Sequence, residues 1–273
     1  MGHSISPVIH NSLAQLMDMN MVYTTFKVEK GDVVTAVNGA YALNILGLNV
    51  TVPHKQAVME SLVDIDPLAK AIGAVNTLVR TDKGYKGYNT DILGLERELI
   101  DEGVVLFGSR CVILGAGGAA RAIAFLCAKS GAKEIYMLNR TKEKAYDIAK
   151  AVNDYFGKEC IKPMLISEYD KLEADDYVVI QTTSVGLYPN VDDVVIDDEA
   201  FYKKVKVGVD IIYNPSETRF MKMCKNAGKP ACNGLKMLLY QGVAAYELWN
   251  DVSVTKEQAD KVYNKMKEEL GIE

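Results

Sequence analysis

The sequence predicts an α/β protein with two domains, and three observations support this. Apolar runs typical of strands alternate with helical segments from residue 111 to about residue 232. A glycine-rich turn, GAGGAAR, joins the first of these strands to a helix. At 273 residues, the chain also exceeds the usual length of one domain. The alternation favours a parallel, doubly wound sheet.

The remaining elements flank this alternating region. The stretch AVNTLVR, a turn at residues 81–84, and YKGY predict a hairpin. Residues 91–103 have helical spacing after the capping cluster Asn89-Thr90-Asp91, and residues 234–271 predict two helices separated near Asn250. We therefore expect a substrate domain of residues 1–92 completed by 233–273, and a nucleotide domain of residues 93–232. The active site is expected in the cleft between them.

Composition narrows the function classes. Hydrophobic residues at 49% and charged residues at 25% are typical of an ordinary globular protein. The net charge of −5 gives no general attraction to nucleic acid or to an anionic membrane, so any anion binding is expected to be local. No apolar run approaches a membrane span and no secretion signal is recognisable, so the cytoplasm is the default location.

The cysteines and histidines predict neither a disulfide framework nor a metal site. The five cysteines are odd in number, scattered and without a C-x-x-C pair, which is typical of reduced thiols. The three histidines, at positions 3, 10 and 54, lack the spacing of metal ligands. We expect no catalytic metal.

The glycine turn is the most informative motif in the chain. The apolar run CVIL precedes it and a helix follows, as a nucleotide-binding βαβ unit requires. Gly115 permits the tight turn, Gly117 lets backbone N–H groups approach a pyrophosphate, and Ala120 permits close packing of helix on strand. The residues expected at the pyrophosphate are Gly115, Ala116, Gly117, Gly118, Ala119 and Ala120.

The end of the next strand predicts which cofactor binds. At this position, where an NAD-binding unit usually places an acid, the chain has Asn139 and Arg140, with Lys142 and Lys144 close behind. An acid would repel a 2′-phosphate, whereas these bases attract it. We therefore predict NADP(H), with Arg140 as the planar partner of the phosphate. The alternative is a solvated basic patch at the start of a helix.

Two serines near the N-terminus predict a carboxylate-binding pair. In HSISPVIHN, Ser4 and Ser6 are two residues apart, so in an extended segment their hydroxyls project to the same side. Ser6 before Pro7 is also typical of a helix N-cap followed by proline at the first helical position.

Four further residues are candidates for chemistry, although each also has an ordinary structural interpretation. In NVTVPHKQ, a strand ends at a proline and delivers Thr51 and Lys55 to the following turn. A lysine beside apolar walls can exchange protons near neutrality, but most lysines are simply solvated. Asp91 at a helix start is usually structural, and Asn76 either orients a substrate hydroxyl or caps the hairpin.

Together, the motifs resemble those of the shikimate dehydrogenase family over nearly the whole chain. In family order, they are HSISP, NVTVPHK, GAVNTL, GYNTD, GAGGAARA, NRT, TSVG, DIIYNPSET and GLKMLLYQG. The resemblance implies an NADP-binding Rossmann domain within an α/β substrate domain. The implied reaction is the reversible reduction of 3-dehydroshikimate to shikimate, on the way to chorismate and the aromatic amino acids.

The resemblance also implies roles for individual residues. Lys55 and Asp91 would be the acid–base pair at the reacting oxygen. The substrate carboxylate would be bound by Ser4, Ser6 and Tyr213, and the ring hydroxyls by Thr51, Asn76 and Gln241. The adenosine ribose phosphate would be bound by Asn139, Arg140, Thr141 and Lys144, with Thr183 and Gly234 near the nicotinamide. Tyr213 and Gln241 also have ordinary interpretations, as a core-rim aromatic and a helix-surface amide.

Two departures from the family pattern stand out. The family has a strand before HS-x-SP, but here Met1-Gly2 directly precedes the motif. We therefore expect either that the start codon is assigned too late or that the domain lacks this strand, which would loosen Ser4 and Ser6. In QTTSVG, the family more often has asparagine and alanine before the Thr-Ser. Gln181 and Thr182 are therefore expected to change contacts beside the nicotinamide.

Two rival functions remain open from the sequence. One is a quinate/shikimate dehydrogenase that uses NAD, which the basic residues at 140–144 disfavour. The other is a catalytically impaired nucleotide-binding protein, which the presence of both Lys55 and Asp91 disfavours. The expected partner is a small-molecule substrate, with neither nucleic acid nor membrane, and the protein is expected to be a monomer or a homodimer.

Overall fold

The computed structural model describes residues 4–272 and confirms the predicted α/β fold. The chain divides into two compact units. The first comprises the residues up to Leu95 together with those from Leu238 onward, and the second is Glu96–Met237. The Ser4–Ser6 segment lies at the start of the described residues, so the strand expected to be missing before it concerns residues outside them.

The first unit is built on a four-stranded mixed sheet with the strand order β1-β3-β4-β2. Strand β3 is antiparallel to both β1 and β4, whereas β2 is parallel to β4. Its elements, with the two helices that lead out of and back into it, are α1 (Ser6–Leu16), α2 (Val33–Ala42), β1 (Gly47–Asn49), β2 (Asp64–Ile65), α3 (Pro67–Ile72), β3 (Thr77–Thr81), β4 (Gly84–Tyr88), α4 (Thr90–Asp101), α9 (Leu235–Asn250) and α10 (Lys256–Leu270).

Local sequence explains several of these boundaries. The predicted hairpin is confirmed, since β3 and β4 pair through to Thr81 and Gly84, and Gly84 has a φ of 148°. Asp66 caps α3 by accepting hydrogen bonds from two backbone N–H groups of its first turn. The two C-terminal helices are also confirmed, and α10 begins with a capping box of Thr255 and Gln258.

The second unit is a six-stranded sheet in which every pair is parallel, as predicted from the alternating pattern. Its order, β10-β9-β8-β5-β6-β7, is that of dinucleotide-binding folds, with the switch point between β5 and β8. The elements are β5 (Arg110–Leu114), α5 (Gly118–Lys129), β6 (Glu134–Asn139), α6 (Lys142–Phe156), β7 (Ile161–Leu165), β8 (Tyr177–Gln181), α7 (Glu199–Lys203), β9 (Val205–Asp210), α8 (Arg219–Asn226) and β10 (Ala231–Cys232).

Each unit has its own apolar core. In the second, buried residues of β5 and β8 pack with Phe201, Tyr202 and Phe220. In the first, Leu78 and Tyr85 of the hairpin pack with apolar residues of α2. All five cysteines are free thiols, and no helix within residues 4–272 is long and apolar enough to cross a membrane.

The indole of Trp249 locks the edge of the first sheet. Its Nε1–H donates to the Leu78 carbonyl at 2.9 Å, and its ring lies directly against Gly47. A Cβ at position 47 would overlap the indole ring atoms, so only glycine fits there. The ring therefore ties α9 to the strand pair β1 and β3.

We expect Gly47→Ala to destabilise the protein by about 1–3 kcal/mol, because the indole must move and lose its bond to Leu78. Trp249 is the only tryptophan in the chain, so urea unfolding followed by its fluorescence measures the effect directly. Gly39→Ala is the matched control, since a Cβ there, inside α2, meets nothing within 4 Å. The control should be neutral or stabilising by up to about 1 kcal/mol. Equal stability of the two variants would contradict the assigned packing.

Glu98 of α4 is a buried acid in the second unit. The residue is 1% exposed, and its carboxyl lies beside the backbone N–H of Met237. Burial, reinforced by repulsion from Glu102, raises the pKa of Glu98 to about 8. Lys236, which pairs with Asp101 at 2.5 Å and with Glu102 at 2.6 Å, offsets part of this shift.

We expect Glu98 to make stability fall as the pH rises. The folded protein keeps the proton that the unfolded chain releases, so this contribution is complete below pH 4.5 and is lost as the pH rises through about 8. The slope approaches about 1.4 kcal/mol per pH unit. Glu98→Gln removes this pH dependence. In urea titrations, the difference in free energy of unfolding between the variant and wild type should therefore increase in favour of the variant as the pH rises to about 8. A constant difference would contradict a protonated Glu98.

Candidate active site

Lys55 and Asp91 meet in the first unit. The turn after β1 is fixed by bonds from the His54 N–H to the Thr51 carbonyl and from the Val75 N–H to the Lys55 carbonyl, both 2.9 Å. Lys55 Nζ then donates to Asp91 Oδ2 at 2.7 Å. The two side chains are 26% and 23% exposed, so the pair is sheltered but still within reach of a ligand. A sheltered ammonium beside a carboxylate is suited to proton transfer.

Asn76 occupies the other oxygen of Asp91. Its Nδ2 donates to Asp91 Oδ1 at 2.8 Å, and its Oδ1 accepts the Thr90 backbone N–H at 2.8 Å. The backbone donor fixes the orientation of the amide, because the reversed amide would set two donors against each other. Asp91 therefore has one oxygen bonded to an amide and the other to an ammonium. The Asn76 side chain is buried, and its role toward a substrate hydroxyl stays a prediction.

The extended conformation expected for Ser4 and Ser6 is wrong. Ser6 is the first residue of α1, and Ile5 before it already has helical backbone angles. The N-cap alternative is not observed either, since the N-cap position is Ile5 and no side chain caps the helix. The Ser4 hydroxyl instead accepts the Ser6 N–H at 3.4 Å, a local turn that competes with extension before Pro7. The carboxylate-binding role of both hydroxyls stays a prediction.

The structure places the two remaining candidates of this unit on different elements. Thr51 is exposed in the turn that carries Lys55. Gln241 is half-buried on α9, where its Nε2 donates to the Leu238 carbonyl at 2.9 Å. This bond uses one of the two amide hydrogens and leaves the carbonyl oxygen available. Neither role toward ring hydroxyls is tested by these contacts.

The glycine turn lies at the carboxyl end of β5. Gly115 has a φ of 111°, and a Cβ there would lie 2.7 Å from the Thr182 hydroxyl. At Gly117 and Gly118, by contrast, a Cβ would meet nothing within 4 Å, so no protein neighbour requires glycine. The N-terminus of α5 has no side-chain cap, which leaves its first N–H groups available to an anion. These features fit a pyrophosphate.

The candidate phosphate site follows β6, the neighbour of β5. Asn139 Nδ2 donates to the Thr141 carbonyl at 2.9 Å and closes the turn into α6. Arg140, Thr141 and Lys144 are all exposed around this turn. Both cations are therefore accessible to a bound anion, as the sequence predicts for a 2′-phosphate.

Gln181 and Thr182, the two residues at which QTTSVG departs from the family pattern, both bond to backbone groups of the protein itself. Gln181 is fully buried, with Nε2 donating to the Thr183 and Val185 carbonyls at 3.2 Å and Oε1 accepting the Thr183 N–H at 2.5 Å. The Thr182 hydroxyl donates to the Leu114 carbonyl at 2.7 Å. Both side chains turn inward and shape the loop that bears Thr183, and their effect on contacts beside the nicotinamide stays a prediction.

The ends of β9 and β10 carry the last two candidates, Tyr213 and Gly234. Buried Asp210 accepts the Ile212 N–H at 3.0 Å and the Thr218 hydroxyl at 2.6 Å, which closes the loop that bears Tyr213. Burial raises the pKa of Asp210 to about 6 despite these bonds. At Gly234, a Cβ would overlap the Ile211 backbone, so close packing explains the glycine without a cofactor.

Sequence reasoning missed several residues that organise the candidate residues within each unit. In the first unit, Asn49, Thr77 and Thr90 form the hydrogen-bonded surroundings of Asn76. In the second unit, Asp210 closes the loop that bears Tyr213. In the sequence, the signal for these residues is the polar Thr77, which directly precedes the apolar strand residues Leu78 and Val79.

Comparison with known proteins confirms the resemblance. A model described as the shikimate dehydrogenase substrate binding domain matches residues 1–78, and one described as shikimate / quinate 5-dehydrogenase matches residues 100–211. The shikimate dehydrogenase (NADP(+)) of Methanosarcina mazei is 42% identical over 255 residues, covering 92% of this chain and 90% of the relative.

Two solved structures agree. A shikimate dehydrogenase in complex with NADP+ has a TM-score of 0.87 at 36% identity, covering 97% of this chain and 91% of the solved one. The shikimate 5-dehydrogenase of Listeria monocytogenes, solved with shikimate and NAD, has a TM-score of 0.89 at 29% identity, covering 97% and 93%. This chain belongs to the shikimate/quinate dehydrogenase family.

Proposed function

We propose that this protein is an NADP-dependent shikimate dehydrogenase that reversibly reduces 3-dehydroshikimate to shikimate. The observation that carries the proposal is the Lys55–Asp91 pair, held at 2.7 Å beside the turn that also presents Thr51. Family membership and the relatives named for this NADP-dependent activity support it. The product lies on the route to chorismate and the aromatic amino acids.

Lys55 is proposed as the proton donor in the direction of reduction. As the carbonyl carbon gains a hydride, negative charge builds on its oxygen, and an ammonium within hydrogen-bond reach stabilises that charge and donates the proton. Ketone, hydride and proton together give the secondary alcohol. In the oxidative direction, the Lys55 amine takes the proton back. Asp91 keeps Nζ in place through both directions.

The cofactor proposed for this chain is NADP(H), which supplies the hydride when it is bound. The open space at Gly117 and Gly118 and the free N–H groups at the start of α5 fit its pyrophosphate. Exposed Arg140 and Lys144 fit its 2′-phosphate, and Asn139 and Thr141 form the turn that presents them. We also propose a cytoplasmic location and a monomeric or homodimeric state.

The remaining substrate roles are part of the same proposal. Ser4 and Ser6 are assigned to the carboxylate, and Thr51, Asn76 and Gln241 to ring hydroxyls. Tyr213 is also assigned to the carboxylate, and Thr183 and Gly234 to the nicotinamide half. The second candidate function is that of an NAD-dependent quinate/shikimate dehydrogenase. It is favoured by the Listeria relative, which was solved with NAD.

Steady-state oxidation of shikimate and of quinate, each with NADP+ and with NAD+, tests the proposal. We expect the highest kcat/KM for shikimate with NADP+. A higher value for quinate with NAD+ would favour the second candidate. Binding of NADPH without turnover of either substrate would favour an impaired enzyme.

We expect Lys55→Ala to lower kcat by about 100-fold or more while leaving the Kd for NADPH nearly unchanged. Fluorescence titration of NADPH and steady-state kinetics measure the two effects. Lys86→Ala is the matched control, because Lys86 also pairs with an aspartate of the first unit, Asp64, at 2.8 Å. The control should change turnover by less than about twofold. Near-normal turnover of Lys55→Ala would remove this lysine from the mechanism.

We expect Arg140→Ser to raise the KM for NADP+ by about 10–100-fold, because a charge-assisted bond to the 2′-phosphate is lost. The kcat/KM for NAD+ should change little, since NAD+ has no such phosphate. Lys150→Ser on α6, the helix that follows Arg140, is the control, as its ammonium already pairs with Asp154 at 2.6 Å. Equal losses with NADP+ and NAD+ would place Arg140 outside phosphate recognition.

A further inference from the structure

A buried polar network lies behind Asp91 in the first unit. Thr77 and Thr90 have no exposed surface, and Asn76 is 3% exposed. Asn76 Oδ1 accepts the Thr90 N–H at 2.8 Å and lies 3.1 Å from the Thr77 hydroxyl and 3.2 Å from the Thr90 hydroxyl, and these two hydroxyls are 3.0 Å apart. The backbone donor leaves the amide a single orientation.

The network continues outward through Asn49. Its Nδ2 donates to the Thr77 hydroxyl at 3.1 Å and to the Asn76 backbone carbonyl at 3.4 Å. The carbonyl fixes the orientation of this second amide, so Asn49 Oδ1 faces the Tyr23 hydroxyl, which donates to it at 3.2 Å. The Tyr23 hydroxyl also contacts the Ser6 hydroxyl.

The donors of this chain all point in one direction. Tyr23 donates to Asn49, Asn49 to Thr77, Thr77 to Asn76 either directly or through the Thr90 hydroxyl, and Asn76 to Asp91. Hydrogen bonds aligned in this way polarise one another, so the last bond, to Asp91 Oδ1, is strengthened. With Oδ1 held, Oδ2 remains aimed at Lys55.

The far end of the chain is anchored independently. Asn11 clamps the backbone of Tyr23 by accepting its N–H at 2.7 Å and donating to its carbonyl at 3.0 Å. The Tyr23 ring stacks on buried His10 with 4.3 Å between ring centroids. Tyr23 is therefore a fixed donor rather than a freely rotating surface group.

We propose that Asn49 and Thr77 are positioning residues for the Lys55–Asp91 pair, acting through the carboxamide of Asn76. This inference rests on the proposed function, because it needs the pair to carry proton transfer. Without the Thr77 hydroxyl, Asn49 Nδ2 loses one acceptor, and the pair of hydroxyls beside Asn76 Oδ1 loses one donor. The Asn76 amide then holds Asp91 less firmly, and Nζ spends less time in the reactive position.

A double-mutant cycle on kcat tests the proposal. Thr77→Val should lower kcat for shikimate oxidation by about tenfold, with the KM for NADP+ within about twofold of wild type. Thr77→Ser keeps the hydroxyl and should restore kcat to within about twofold. In an Asp91→Ala background, Thr77→Val should have almost no further effect on kcat, because the group through which it acts is gone.

Thr81→Val is the control for losing a hydroxyl from the same strand. The Thr81 hydroxyl donates to the Gly84 carbonyl at the hairpin turn and belongs to no part of the network. The Thr81→Val variant should have a slightly lower melting temperature and an unchanged kcat. Asn49→Ala is the second test variant, chosen because Asn49 is half-buried whereas Thr77 has no exposed surface. It should lower kcat in the same direction as Thr77→Val.

Failure of this inference is distinguishable from failure of the proposed function. If Asp91→Ala lowers kcat strongly but Thr77→Val adds its full effect in that background, the threonine is merely structural and only the inference is overturned. If Asp91→Ala has near-normal kcat, the acid–base assignment fails and the inference fails with it. Near-normal kcat in both Thr77→Val and Asn49→Ala would also overturn the inference.

Discussion

The hydrogen bond from the Thr90 backbone N–H to Asn76 Oδ1 is the constraint on which the site depends. Thr90 begins α4, so its N–H has no partner within its own helix. Asn76, which directly precedes β3, supplies the acceptor at 2.8 Å and thereby caps a helix that follows the hairpin. The bond gives the first N–H group of α4 an acceptor. It also sets the orientation of the Asn76 side-chain amide, so that Nδ2 points toward Asp91.

A different constraint organises the second unit. Parallel strands place all their carboxyl ends at one edge, so the turns after β5, β6, β8, β9 and β10 share that edge. Strand β5 lies at the switch point, and the chain turns tightly after it to enter α5. Gly115 permits this turn with a φ of 111°. The Thr182 hydroxyl bonds to the Leu114 carbonyl directly beside this turn. Loops that carry candidate residues are thus fixed by inward-facing polar side chains.

The sequence predicted elements well wherever the signal is local. The hairpin, the helix after Asn89 and the strand–turn–helix around Gly115 depend on turn chemistry and periodicity within a few residues. The Ser4–Ser6 segment was predicted wrongly because a short-range hydroxyl bond and a following proline favour a helical start. The prediction of an extended segment depended on the spacing of two serines alone, which carries little information about conformation.

Contacts between distant residues could not be predicted in the same way. Asn49 and Thr77 lie 28 residues apart, and their bond exists only because β1 and β3 pair in one register. Gln181 turns inward because the backbone of its own loop offers two carbonyls and an N–H to its amide. Nothing in the residue type separates such a role from contact with a ligand.

Exposure and a charged donor distinguish Asp91, the acid proposed for catalysis, from the buried acids Glu98 and Asp210. Glu98 and Asp210 are almost completely buried, and burial raises the pKa of each. Asp91 is 23% exposed and receives two donors, one of them charged. A buried acid with a raised pKa would ordinarily be the first functional candidate. Here the two acids whose pKa is raised are Glu98, which is buried, and Asp210, which closes a loop, whereas the acid proposed for catalysis is the one that accepts a lysine ammonium. Geometry is therefore the better guide to chemistry in this protein.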